Sequence, residues 1–166
     1  MNKRDIENAV YNKANTYYST VCMLAEHDVL DESTMALVQL AIEGYLSNMI
    51  ELVKNKTTDK VYGMGRVPHD LMRLYHTLYN GESSALLENP TTDIKNRLVK
   101  SFCDFNSKRY VAPDDSAKST RNVCEKDVLY NVETMHMIKE LNERFRDKFF
   151  EQKKIKENKE IFDLEK

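Results

Sequence analysis

The stretch from Ala36 to Ile50 constrains the fold of this chain more than any other. Met35, Val38, Ile42, Tyr45, Met49 and Leu52 recur at helical spacing, while Leu37, Leu40, Ala41, Leu46, Ile50 and Val53 fill most of the remaining circumference. A helix that is apolar on most sides must sit at the centre of a bundle, wrapped by other helices or by a second copy of the protein. Gln39, Glu43, Ser47 and Lys54 trace the one narrow polar strip, which this reading leaves uncovered.

Four further helices follow from periodicity, and no segment reads as a strand. The first spans about Arg4 to Glu26, with Ile6, Val10, Tyr17, Val21, Leu24 and Ala25 on one stripe. The chain then turns through Asp28 to Asp31, with Asp31 the natural N-cap of the central helix and Glu32 adding negative charge to its first turn. Asn55 to Val67 is polar, contains Gly63 and Gly65, and reads as a connection. Pro68 suits the start of a third, short helix carrying Leu71, Leu74, Tyr75 and Leu78, and Asn80-Gly81 stops it. A fourth helix follows Thr91 and Thr92 with Ile94, Leu98, Phe102 and Phe105 inward. After an irregular segment from Lys108 to Ser116, Val128, Val132, Met135, Ile138, Leu141, Phe145 and Phe149 form the stripe of a long last helix, from about Thr120 to Phe150. The expected fold is all-α, an antiparallel up-down bundle of about five helices with a long C-terminal helix, occupying residues 4–150. From Glu151 to Glu160 the chain becomes almost entirely charged, and the tail 151–166 reads as either a solvated helical extension or a disordered end, with Ile161, Phe162 and Leu164 at its tip able to dock on a partner.

Composition narrows the function. With 25 Lys and Arg against 27 Asp and Glu, the net charge of −2 does not favour an electrostatic nucleic-acid binder, so any phosphate contact has to be local. Gln39, Glu43, Ser47 and Asn48 interrupt the central apolar run, and no membrane span is expected. Met1 to Ile6 is not followed by an apolar secretory segment, so the expected location is cytoplasmic. Cys22, Cys103 and Cys124 show no C-x-x-C spacing and read as reduced thiols, mostly in the core. His69 and His76 lie two helical turns apart, about 10 Å, too far for one metal ion. No metal and no cofactor is signalled.

Two places can face a ligand. His69 and Asp70 open the third helix beside a Gly-containing loop. Lys108, Arg109 and Tyr110 put two cations next to an aromatic ring in the loop before the last helix, a combination that can hold a phosphate and stack a base. Glu43, if buried, needs a partner such as an Arg from this chain or from another subunit. Tyr17, Tyr18, Tyr75 and Tyr79 are candidates for an interface, where aromatic residues are enriched.

The first helix with Tyr17-Tyr18, the segment Ala41 to Leu46, the Pro68-His-Asp-Leu71 start and the stretch Arg109 to Asp114 together resemble the HEPN family of helical bundles, over roughly residues 5 to 148. The resemblance implies a homodimer and a role as an interaction or nucleotide/RNA-binding protein, with a nucleotidyltransferase-type protein as a further partner in a toxin–antitoxin or defence setting. Ribonuclease members of that family share an Arg followed four to six residues later by a His. Arg66 to His69 and Arg73 to His76 are too close, and Arg121 to His136 too distant, so no catalytic pair carries over. An RNA cut without metal needs a base for the 2′-hydroxyl and a cation for the developing charge. A ribonuclease toxin with an atypical site, using His69 as base and Arg66 or Arg109 for phosphate, is the alternative reading. A structural subunit of a hetero-complex is another.

Overall fold

The structure, a computed structural model, describes residues 3–31, 33–57, 60–61, 71–79, 92–109 and 125–165, and the side chains of all of these except 3–6, 92 and 106–109. They form five helices: α1 Lys3–Glu26, α2 Thr34–Lys54, α3 Leu71–Tyr79, α4 Thr92–Arg109 and α5 Glu125–Leu164. There is no strand among the described residues, and the chain is a helical bundle closed by a long C-terminal helix.

The turn from α1 to α2 is built from local hydrogen bonds. Asp28 takes a left-handed conformation (φ 53°), which lets its N–H donate to Ala25 O and that of Val29 to Leu24 O at 3.0 Å, capping the last carbonyls of α1. Helix α2 starts at Thr34 with Ser33 in the N-cap position and no side-chain capping hydrogen bond, a correction to the cap expected at Asp31, two residues earlier. Asp31 instead braces the turn that leads into the helix. Its carboxylate accepts from the Ser33 N–H at 2.9 Å and from the Ser33 hydroxyl, while its own N–H donates to Thr34 Oγ1 at 3.0 Å. These hydrogen bonds, led by that from the Ser33 hydroxyl, hold the Asp31 carboxyl below its usual pKa. Glu32 lies outside the described residues. At the other end of α2, Asn55 (φ 52°) turns left-handed and donates its N–H to Glu51 O at 2.8 Å.

Helix α2 is the axis of the bundle. Val38, Ala41, Ile42, Tyr45, Leu46 and Met49 are fully buried. By length and composition it is apolar enough to cross a membrane, and its apolar surface is covered here by the other helices. The polar strip is a correction to the sequence reading: Gln39, Glu43 and Ser47 are buried, and Lys54 alone of the four is exposed. The reason is the close approach of α1. A Cβ placed on Gly44 would come within 2.7 Å of the Ala14 Cβ, so two minimal residues let the backbones meet and α1 cover the strip.

The expected stripes of the other helices face the core. Leu71, Leu74, Tyr75 and Leu78 of α3, Leu98 and Phe105 of α4, and Val128, Val132, Met135, Ile138, Leu141 and Phe145 of α5 are buried. Two boundaries differ. Lys108 and Arg109 belong to α4 and not to a following loop, and α5 continues without a break through residues 151–164, which resolves the tail as helix. The thiols differ too: Cys103 is exposed and Cys22 half-buried, while Cys124 lies outside the described residues.

Candidate functional site

The residues singled out in the sequence are not brought together into a describable site. His69, Asp70 and Tyr110 lie outside the described residues, and for Lys108 and Arg109 only the backbone at the end of α4 is described. The other polar candidates are explained by packing. Glu43, 4% exposed, accepts from Gln39 Nε2 at 2.8 Å, so one partner of this buried carboxylate is an amide one turn away. His136 pairs Nδ1 with the Tyr18 hydroxyl at 2.7 Å, and burial together with neighbouring Cys22 raises Tyr18 to about 12. The rings of Tyr75 and Tyr79 lie tilted against each other at 36°, with their centres 4.5 Å apart. Among the described residues no group of three His, Cys, Asp or Glu side chains converges as a metal site would require.

Two polar clusters were not foreseen. The first joins α1, α2 and α5. Arg146 donates from Nη1 to Glu7 O at 3.0 Å and to Asn48 Oδ1 at 3.1 Å, and from Nη2 to Asn8 Oδ1 at 3.2 Å, with its guanidinium 3.7 Å from the centre of the Tyr11 ring. Burial lowers the Arg146 pKa, and the stacked ring and these acceptors replace the lost water. Beside it, the fully buried Asn142 donates from Nδ2 to Tyr45 O and to Asn48 Oδ1, both at 3.1 Å, and Asn48 Nδ2 donates to Glu7 O at 3.2 Å. Asn residues spaced along otherwise apolar helix faces, Asn48 on α2 and Asn142 on α5, were the sequence signal for this junction.

The second cluster joins α4 and α5. Lys100 Nζ lies 3.0 Å from Asp104 Oδ2 and 2.7 Å from Asp127 Oδ1, and Asn131 donates to Asp104 Oδ2 at 2.9 Å while accepting from Ser101 Oγ at 2.5 Å. Burial by itself would lower the Lys100 pKa, but the hydrogen bonds from Lys100 to Asp127 and Asp104 outweigh it and hold it above the usual lysine value. Arg97 stacks on Tyr130 at 4.4 Å and pairs with Asp93 at 3.2 Å and Glu133 at 3.3 Å. In both clusters each cation is matched by acceptors from the chain itself. They act as joints between helices, with no donor or cation poised toward an open space.

What does face open space is the far end of α5. Its residues beyond Lys153 are all exposed, and Ile155, Ile161, Phe162 and Leu164 are 61%, 56%, 60% and 86% exposed. Alongside its first turns runs a groove of about 480 Å³, with Leu52, Val53 and Phe149 as its apolar lining and Lys153, Lys156 and Glu157 on the α5 wall. Lys153 is tied across it to the Glu7 carboxylate. Such a surface can bind a helix or an extended segment through apolar contacts edged with charge. No family model matches the chain, and neither a curated protein nor a solved structure does.

Proposed function

We propose that this chain is a helical interaction module whose working surface is the exposed final stretch of α5. The observation that carries this reading is four large apolar side chains on a helical segment that the bundle leaves in water. Such a segment gains nothing from the core, and an isolated helix shorter than about 12–15 residues is marginal in water. A partner laid along it supplies the missing cover. The HEPN resemblance belongs to this proposal, with a second copy or a nucleotidyltransferase-type protein as the docked partner. The nucleotide- or RNA-binding role that goes with that resemblance depends on Lys108, Arg109 and Tyr110, and the exposed apolar segment favours protein over nucleic acid.

The test is site-specific photo-crosslinking in living cells, with the photoreactive side chain placed at Ile155 or, as a control, at the comparably exposed Met23 on α1. A discrete protein adduct from position 155 and none from position 23 is the expected result. Equal labelling from both positions, or none from 155, overturns the proposal.

A further inference from the structure

The charge order along the last turns of α5 runs against the helix that carries it. From Glu151 to Lys159 there are four lysines and two glutamates, whereas Glu160, Asp163 and Glu165 follow with no base before the final Lys166. The last turn of α5 therefore carries acidic and no basic side chains, although the partial negative charge at a helix C-terminus favours cations. Within the helix, the i,i+4 positions that carry opposite charges, Lys153 and Glu157, Lys156 and Glu160, and Lys159 and Asp163, all place the base on the N-terminal side, the weaker order. Neither the core nor the helix itself rewards this arrangement.

An antiparallel copy of the same segment does. We infer that the exposed end of α5 pairs with the same segment of a second copy, running antiparallel, which rests on the reading of this segment as the docking surface. Ile155 and Phe162 are seven residues apart and share one face. Setting Ile155 opposite Phe162 of the second copy gives two equivalent Ile–Phe layers, as a two-fold axis requires. In that register Asp163 of the second copy comes within about 3 Å, along the axis, of the level of Lys156, and Glu165 of the second copy within about 3 Å of the level of Lys154. Both pairs fall on the flanks of the seam, each flank meeting its own equivalent, and the two-fold repeats both. The acidic last turn of each helix then lies beside the basic half of the other, and the two helix dipoles run in opposite directions. A parallel pair instead stacks lysine on lysine and acid on acid. The helical overlap in that register, residues 153–164 of each copy, is about 18 Å long, so the pairing is concentration-dependent and weakens as salt screens its flanking charges.

Sedimentation velocity on the full chain tests this with two charge-swapped variants, Lys154→Glu with Lys156→Glu, and Asp163→Lys with Glu165→Lys. The wild type is expected to pass from monomer to dimer with rising concentration. Each variant alone is expected to raise the dimer dissociation constant at least about tenfold, since four flanking attractions become repulsions. An equimolar mixture of the two variants is expected to recover the dimer, because each then meets the charge it lost. That recovery also shows that both bundles are folded. A wild type monomeric at every concentration, a dimer that survives both swaps, or a mixture no better than its components overturns the antiparallel pairing. The crosslink from Ile155 separates this outcome from failure of the interaction reading: an adduct twice the chain mass supports self-pairing, and an adduct with a different protein leaves the docking surface standing while removing the second copy as its occupant.

Discussion

Gly44→Ala is the sharpest test of how α1 and α2 meet. In the interior of a helix, alanine is favoured over glycine by about 1 kcal/mol, so a Gly44 facing open space would yield a more stable protein when replaced. Here the new Cβ would sit 2.7 Å from the Ala14 Cβ and 3.4 Å from the Ala14 Cα. Carbon atoms pack best at about 3.5–4.0 Å, so the first of these contacts is short by about 1 Å, and neither atom has a torsion by which to escape. The helices must part, at the cost of about 1–3 kcal/mol typical of overpacking, and the substitution is expected to destabilise by about 1 kcal/mol net. Ala14→Gly alone loses helix propensity and also costs about 1 kcal/mol. In the double variant the clash disappears and the propensity terms cancel, so stability returns to near the wild-type value. Urea unfolding followed by circular dichroism at 222 nm, with unchanged slopes, measures all four corners of the cycle. A Gly44→Ala protein more stable than wild type, or single effects that add to within about 0.5 kcal/mol, would refute the close approach.

The remaining predictions use the same unfolding assay. Asn55→Gly relieves a side chain from a left-handed backbone and is expected to stabilise by up to about 1 kcal/mol; a loss would mean that the Asn side chain contributes more than its conformation costs. Asn142→Ala removes the amide bonded to Tyr45 O and Asn48 Oδ1 in a fully buried place and is expected to cost about 3 kcal/mol, whereas an effect under about 1 kcal/mol would show the junction to be dispensable. Lys100→Met leaves the fully buried Asp104 with one cationic contact fewer and is expected to cost about 3 kcal/mol at neutral pH. Because Tyr18 is raised to about 12 in the fold, the folded state holds its proton longer than the unfolded chain; its contribution is complete below pH 10 and is lost as pH rises toward 12, a loss that Tyr18→Phe should reduce.

Periodicity carries the architecture because burial repeats at helical spacing. Leu71, Leu74, Tyr75 and Leu78 can be read as a stripe without knowing what they touch, and so can the run from Val128 to Phe145. The burial of Glu43 and Ser47 is of another kind. It depends on how closely α1 approaches, which is set by the absence of side-chain atoms at Gly44 and Ala14, and no hydropathy pattern registers an absence of that sort. The polar joints escape for a related reason: Arg146, Asn8 and Asn48 are far apart in sequence and become one cluster only when three helices converge. The continuation of α5 past Phe150 is likewise invisible to periodicity, since a segment so rich in charge has no stripe from which to read a helix.

The junction of Asn48, Asn142 and Arg146 has a consequence for which fold is reached. An axial helix as uniformly apolar as α2 offers its neighbours nearly equivalent seats, and α5 could slide along it by one turn, about 5.4 Å, and still bury leucines and methionines against it. After such a slide the Asn142 amide would no longer meet Tyr45 O and Asn48 Oδ1, and the guanidinium would leave Tyr11 for an apolar wall. The misaligned packings thus carry unsatisfied polar groups in a dry interior, and one alignment of the long helix stands apart from the rest.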